Sequence, residues 1–237
     1  MISVCIATYN GEKYIKEQLN SILLQIGEKD EIIVSDDHSS DNTMQIILSI
    51  GDQRIKVFTN EKEKGYTSNF QNALSYAKGD YIFLSDQDDI WTDNKVNYCI
   101  NQLQTCDFVV SDAIVVDQNK NAISTSYYLE RKIYHSFIGN IYRFGFLGCC
   151  MAFKKKVLNK ALPFPKNHYY CTHDNWLFLV AKMFYKVNIS SEKLILYRRH
   201  SSNVSTGGFV NQTSLAFKVC YRFYLLYHLL RLKLLKR

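Results

Sequence analysis

Between residues 2 and 86, short apolar runs alternate with segments whose apolar positions recur every three or four residues, and few folds accommodate that rhythm. The runs ISVCIATY (2–9), EIIVSDD (31–37), RIKVFTN (54–60) and YIFLSD (81–86) have the length and composition of strands. Between the first two, Ile15, Leu19, Ile22, Leu23 and Ile26 share helical spacing behind Asn10, a suitable cap. SSDNTMQIILSI predicts a second helix opened by Ser39 or Ser40, and Phe70, Ala73, Leu74 and Ala77 predict a third that stops at Gly79. Right-handed crossovers join such strands most simply, which predicts an α/β fold: a mostly parallel central sheet flanked by helices.

Sheets of this kind bind ligands where their strands end at the carboxyl edge. Thr8, Tyr9 and Asn10, then Asp36 and Asp37, then the acidic stretch 86–89, are therefore expected at one rim although they lie far apart in the chain. The second half is less regular. A hairpin is expected over 107–128 with its turn near Asn119 to Asn121, and a strand running into a helix over 146–162. A helix capped by Thr172 or Asp174 should follow, then a strand over 193–200 leading into a polar loop.

Asp86, Asp88 and Asp89 crowd three carboxylates into four positions at a strand end, and their repulsion costs stability unless a cation or hydrogen bonds offset it. Asp86 and Asp88 can project towards one centre, and hard oxygen ligands select Mg²⁺ or Mn²⁺. Mg²⁺ completes its shell with water and substrate phosphates, so a sparse cluster suits a nucleotide diphosphate. As a bare D-x-D, the same residues serve equally as a solvated acidic turn, and each rim cluster could merely cap the helix after it.

The formal charge of +7 invites a nucleic-acid reading until it is located. Nine of the 29 Lys and Arg lie beyond Glu192, the last acidic residue, which leaves 20 basic against 22 acidic side chains in residues 1–192. The positive charge belongs to the tail, and no nucleic-acid partner is expected. Seven cysteines at 5, 99, 106, 149, 150, 171 and 220 show neither metal-site nor disulfide spacing, so they read as thiols of a reducing compartment. The N-terminus enters a strand at once, without a signal-peptide pattern, and a cytoplasmic protein is expected.

Taken in order, VCIATYNGEKYIKEQLNSIL, EIIVSDDHSSDNT, KGDYIFLSDQDDIW, GCCMAF, HDNW and YRRHSSNVS resemble glycosyltransferase family 2, whose members are inverting enzymes with a GT-A fold. The resemblance spans roughly residues 1–205 and is nearest to a rhamnosyltransferase-like branch that builds bacterial surface polysaccharides. It implies a nucleotide-binding half over 1–105 and an acceptor-binding half over 106–205, followed by a basic amphipathic tail over 206–237. It also implies a UDP- or dTDP-sugar donor. Thr8, Tyr9 and Asn10 would contact the nucleotide, Tyr9 packing on its base, and Asp37 would accept a hydrogen bond from the base imide. Asp86 would face the ribose or metal-bound water, Asp88 would ligate the metal, and His200 would stand near the diphosphate and metal. Arg198 or Arg199 could pair with phosphate, with Arg199 the preferred candidate. Gly148 and Cys149 would line the acceptor site.

Asp174 of HDNW matches the family's catalytic base. A free aspartate, with a pKa of about 3.9, is ionised near neutrality and can take the acceptor hydroxyl's proton. His173 beside it could orient acceptor or base. A phosphatase would place its D-x-D after the first strand with a Thr following, and a nucleotidyltransferase would carry a Gly-rich basic loop there; this chain has neither. A non-catalytic nucleotide-sugar binding subunit is the alternative that remains.

Residues 214–237 hold six Lys or Arg, no acid and many Leu, Phe and Tyr. Charges at 218, 222, 231 and 233 interrupt any spanning segment, so the expectation is an amphipathic helix, either packed on the domain with a solvated basic edge or lying on an anionic membrane at the inner face of the plasma membrane. A glycan or lipid-linked glycan acceptor would be met there.

Overall fold

The first strand, β1 (Ile2–Thr8), is buried along almost its whole length, as a strand covered by helices on both faces must be. The structure is a computed structural model that describes residues 1–200 and 214–235. From β1 the chain alternates through α1 (Ile15–Leu23), β2 (Glu31–Asp36), α2 (Thr43–Ser49), β3 (Ile55–Thr59), α3 (Tyr66–Tyr76) and β4 (Tyr81–Ser85). The short β5 (Ile90–Trp91), α4 (Lys95–Leu103), β6 (Phe108–Val116), β7 (Ala122–Ser124), α5 (Tyr127–Arg131) and α6 (Phe137–Tyr142) follow. A 3-10 turn at Gly148–Cys150 leads into β8 (Met151–Lys154), α7 (Lys155–Ala161), α8 (His173–Phe184), β9 (Val187–Arg198) and α9 (Leu215–Leu235).

The described strands form one nine-stranded sheet in the order β3-β2-β1-β4-β8-β6-β9-β5, with β7 paired to β6. β1, β2, β3, β4, β6 and β9 run one way and β5, β7 and β8 the other, so the sheet is mostly parallel as expected. β8 is the departure that spacing alone does not reveal: it inserts antiparallel between β4 and β6 and joins the two halves of the chain into one sheet. Phe108 stacks on Phe153 with centroids 5.4 Å apart and meets Phe178 of α8 edge-on, so the helix locks over that junction.

β1 pairs β2 on one side and β4 on the other, while the connection from β3 to β4 crosses back over β1. The loops after β1 and β4 therefore diverge and open a crevice at the topological switch point.

Several expected boundaries shift, each for a local reason. Asn10 does not cap the first helix. It takes a positive φ of 48° and its Oδ1 accepts the Ser40 amide at 2.8 Å, which ties the first βα loop to the second. The helix starts later, after a turn in which the Gly11 carbonyl accepts the Tyr14 and Ile15 amides. Ser39 and Ser40 likewise do not open α2: Asp41 accepts the Thr43 amide at 3.0 Å, while Ser39 is held by Asp36. α3 ends at Tyr76, before Gly79, because Ala77 has turned extended. Thr172 precedes α8 as foreseen, but its hydroxyl bonds the Asp174 carboxylate rather than a backbone amide.

Candidate active site at the carboxyl ends of the strands

The crevice widens into a cavity of about 460 Å³ walled by both halves of the chain. Thr8 and Tyr9 enter it from the end of β1, Asp37 from the end of β2, and Asp86, Gln87 and Asp88 from the end of β4. Gly65, Tyr66, Asn69 and Phe70 come from the start of α3, and Gly148, His173 and Asp174 close the far side. Segments named from sequence as converging on one rim thus do converge.

Each wall has a local cause. Thr8 is buried; its carbonyl accepts the Asp37 amide at 2.9 Å and the Asn69 side chain at 3.0 Å, which fixes the end of β1. Tyr9 is 47% exposed and presents its ring to the opening. Asp37 is buried, with Oδ1 accepting Asn60 Nδ2 and Oδ2 accepting the Gly65 amide, each at 2.8 Å. Each of those oxygens keeps a second lone pair for a ligand. Asp36, by contrast, is spent on Ser39 and does not line the cavity.

The acidic cluster divides in two. Asp88 Oδ2 meets His200 Nε2 at 2.9 Å with both side chains largely enclosed. Asp86 turns instead towards Asp89 and Cys149, with one ligand-capable atom of each lying within 4.8 Å of the others. Asp89 is buried; Oδ1 accepts the Arg198 amide at 3.0 Å, whereas Oδ2 has no hydrogen-bond partner among the described residues. Burial, then the neighbouring Asp88 charge, pushes the Asp86 carboxyl up to about 7, and the same causes with Asp86 added raise Asp89 well above the usual carboxylate range. Burial and mutual repulsion thus disfavour the ionised form of both carboxyls, and one buried Asp89 oxygen has no donor among the described residues. Oxygen donors of this kind, with a histidine beside them, fit a hard divalent cation.

Arg198 is corrected as a phosphate ligand. It is 3% exposed, and its guanidinium bonds Glu17 at 2.6 Å and the Asp88 carbonyl at 2.9 Å, so it braces the acidic loop from behind. Arg199 donates to the hydroxyl of Tyr197, which lines the cavity. The rest of the YRRHSSNVS segment, residues 201–205, lies outside the described residues.

Asp174 sits in the first turn of α8, its Oδ1 accepting the Thr172 hydroxyl and the Asn175 amide. Its charge is felt by Tyr66, whose phenol is pushed up to about 12 by burial first and by Asp174 second. His173 stacks on Phe70 with centroids 4.1 Å apart and is 5% exposed. Neither of its ring nitrogens has a hydrogen-bond partner among the described residues; burial lowers its pKa, disfavouring the charged imidazolium, and the ring faces the cavity. Sequence reasoning passed over Gln87 and Lys95. Gln87 is the middle residue of the D-x-D, and fully buried Lys95 donates from Nζ to the Cys149 carbonyl at 2.8 Å behind the acidic cluster. A lone lysine inside an amphipathic helix carries no sequence signal of burial.

The family description "Glycosyl transferase family 2" matches residues 3–162. The chain is 32% identical over 171 residues to the Escherichia coli UDP-Glc:alpha-D-GlcNAc-diphosphoundecaprenol beta-1,3-glucosyltransferase WfgD, covering 71% of this chain and 65% of that protein. It is 30% identical over 221 residues to the Shigella flexneri dTDP-rhamnosyl transferase RfbG, covering 83% of this chain and 72% of the other. Among solved structures, S. aureus TarS 1–349 in complex with UDP-GlcNAc aligns with a TM-score of 0.70 at 20% identity, over 98% of this chain and 64% of that one. This likeness shows the shared GT-A architecture. The chain spans about two thirds or less of the length of the first of these relatives. With the family's pattern covering most of the chain, the protein belongs to glycosyltransferase family 2.

Proposed function

We propose that the protein transfers a sugar from a UDP- or dTDP-sugar to a hydroxyl of a glycan, with inversion, and that the acceptor is lipid-linked. The carrying observation is the joint placement of Asp37, Asp86, Asp88 and Asp174 around one cavity of about 460 Å³, a size suited to a small ligand. The relatives support the donor and acceptor classes: WfgD uses a UDP-sugar and a diphosphoundecaprenol-linked acceptor, and RfbG a dTDP-sugar. A mannosyltransferase from Pyrobaculum calidifontis, solved with GDP-Man and Mn²⁺, shares the fold at a TM-score of 0.62.

In this reading residues 1–105 hold the donor and residues 106–205 the acceptor. Tyr9 covers the base, Thr8 and Asn10 shape the loop beneath it, and Asp37 accepts from the imide N–H that uracil and thymine share. Asp86, Asp88 and His200 would hold Mg²⁺ or Mn²⁺, with Arg199 nearby. Such an ion, when bound, neutralises charge on the diphosphate leaving group. Asp174 takes the acceptor proton as the hydroxyl oxygen bonds to the anomeric carbon. The carbon–oxygen bond to the diphosphate breaks, and its electron pair leaves with the nucleotide. Attack from the face opposite the diphosphate inverts that centre in one step. The exposed side of α9 would hold the enzyme on the inner face of the membrane where such acceptors lie.

Asp174→Asn tests the assignment. Transfer should fall by about a thousandfold, in the range of lost general-base catalysis, while the calorimetric affinity for UDP or dTDP with Mn²⁺ stays within about twofold, since Asp174 touches only the acceptor. Loss of nucleotide affinity instead would make Asp174 a donor-binding residue.

A further inference from the structure

The middle residue of the D-x-D is usually treated as filler, yet here it spans the crevice. The Gln87 carboxamide leaves the end of β4 and reaches the end of β1, where Oε1 accepts the Thr8 hydroxyl at 2.6 Å and the Tyr9 amide at 2.9 Å. Its Nε2 donates back to the Tyr9 carbonyl at 3.0 Å. One side chain thus grips both backbone groups of Tyr9, as a neighbouring strand would. It does so where the two loops diverge and no strand can pair them.

Gly11 makes room for this grip. A Cβ at position 11 would lie 2.7 Å from Gln87 Cδ and closer still to Oε1. The atoms in the way belong to the tip of a flexible side chain, so an alanine there is accommodated by moving Gln87 aside rather than by moving the backbone.

We infer that Gln87 is a positioning residue that splints the Tyr9 loop to the carboxylate loop, holding the nucleoside platform and the diphosphate end of the site in register before the donor arrives. This rests on the nucleotide-sugar reading above. Asp86 and Asp88 flank Gln87, so any shift of Tyr9 relative to them is resisted by two hydrogen bonds to its own backbone and a third to the preceding Thr8. Preorganisation of this kind appears as ligand affinity, because the loop is not ordered at the ligand's expense.

Two measurements on the full chain test it. By NMR amide exchange without nucleotide, Tyr9 should exchange about tenfold faster in Gln87→Ala and in Gly11→Ala, as loss of one net hydrogen bond implies. By calorimetry with Mn²⁺, UDP or dTDP should bind each single variant about tenfold more weakly, and the double variant no more weakly than Gln87→Ala, because both substitutions break the same splint. Unchanged Tyr9 exchange in either variant overturns the proposal. So does a double variant weakened about a hundredfold, since independent losses would mean that Gln87 contacts the nucleotide itself. If the unaltered chain binds neither nucleotide, the donor reading fails, and amide exchange alone then decides whether the splint exists.

Discussion

Asp86 is the residue at which function and stability conflict most directly. Burial and the Asp88 charge push its carboxyl up to about 7, so the folded chain binds a proton there that the unfolded chain releases near pH 4. The sign follows: with metal removed, this group favours folding below pH 4, and its contribution falls as the pH rises towards 7, where the folded carboxyl must also ionise. Asp86→Asn removes that dependence. In EDTA at pH 8 the variant should melt several degrees higher than the parent, with the gain shrinking towards pH 5; equal melting at pH 8 would show that the carboxylate is compensated within the protein. The three carboxylates were visible in the sequence as a crowd. Their division between His200 and Cys149 was not, because spacing along a turn does not say which way each side chain points. The same limit explains Arg198 and Arg199: adjacent residues at a strand end face opposite ways, and the one turned inward serves Glu17 and Asp88 instead of a ligand.

At the scale of elements, the alternating first half was legible because period-2 and period-3.6 patterns are local, and β1, α1, β2, α3 and β4 fall close to where they were expected. Helix starts were less so: Asn10, Ser39 and Ser40 have cap chemistry but use it to tie neighbouring loops together. β8 was seen as a strand, but its antiparallel insertion between β4 and β6 depends on long-range pairing that no local pattern encodes. One contact that sequence could not supply secures the 148–150 wall of the cavity. From α4, Lys95 reaches the 148–150 turn, its Nζ donating to the Cys149 carbonyl and lying 4.9 Å from the centroid of Trp91. Lys95→Met keeps the stem but leaves that carbonyl without its donor and withdraws a cation from beside Asp86. A stability loss of about 1–3 kcal/mol in urea unfolding is expected, together with a further rise in the Asp86 pKa, read from the pH dependence of unfolding. A neutral substitution would show that water replaces the ammonium.

For the whole molecule, the basic residues of α9 lie on one element that packs beside α8. No described helix is long and apolar enough to cross a membrane. α9 nevertheless leaves Leu215, Val219, Phe223, Tyr227, Leu230 and Leu234 exposed, spaced four, four, four, three and four residues apart, which at 3.6 residues per turn is a single stripe. Leu225 and Leu229 on the other side are buried against the domain. By helical position Lys233 lies at one margin of the stripe and Arg231 at the other, while Lys218 and Arg222 fall towards the domain side, where Arg222 donates to the Tyr142 carbonyl at 2.7 Å; the two marginal cations suit a helix that sinks its apolar side into lipid. α9 also packs on α8, whose first turn carries Asp174, so docking through the stripe would bring that wall of the cavity close to the membrane surface. Vesicles containing phosphatidylglycerol should therefore sediment the chain at low salt, and less of it as salt screens the cations. Phe223→Ser with Leu230→Ser removes two side chains, each contributing about 1.5–3 kcal/mol on burial. Binding should weaken by at least about a hundredfold, with the cavity's affinity for UDP or dTDP unchanged. If the double variant sediments like the parent, the stripe is not the docking face; if neither sediments, the basic tail serves the fold rather than the membrane.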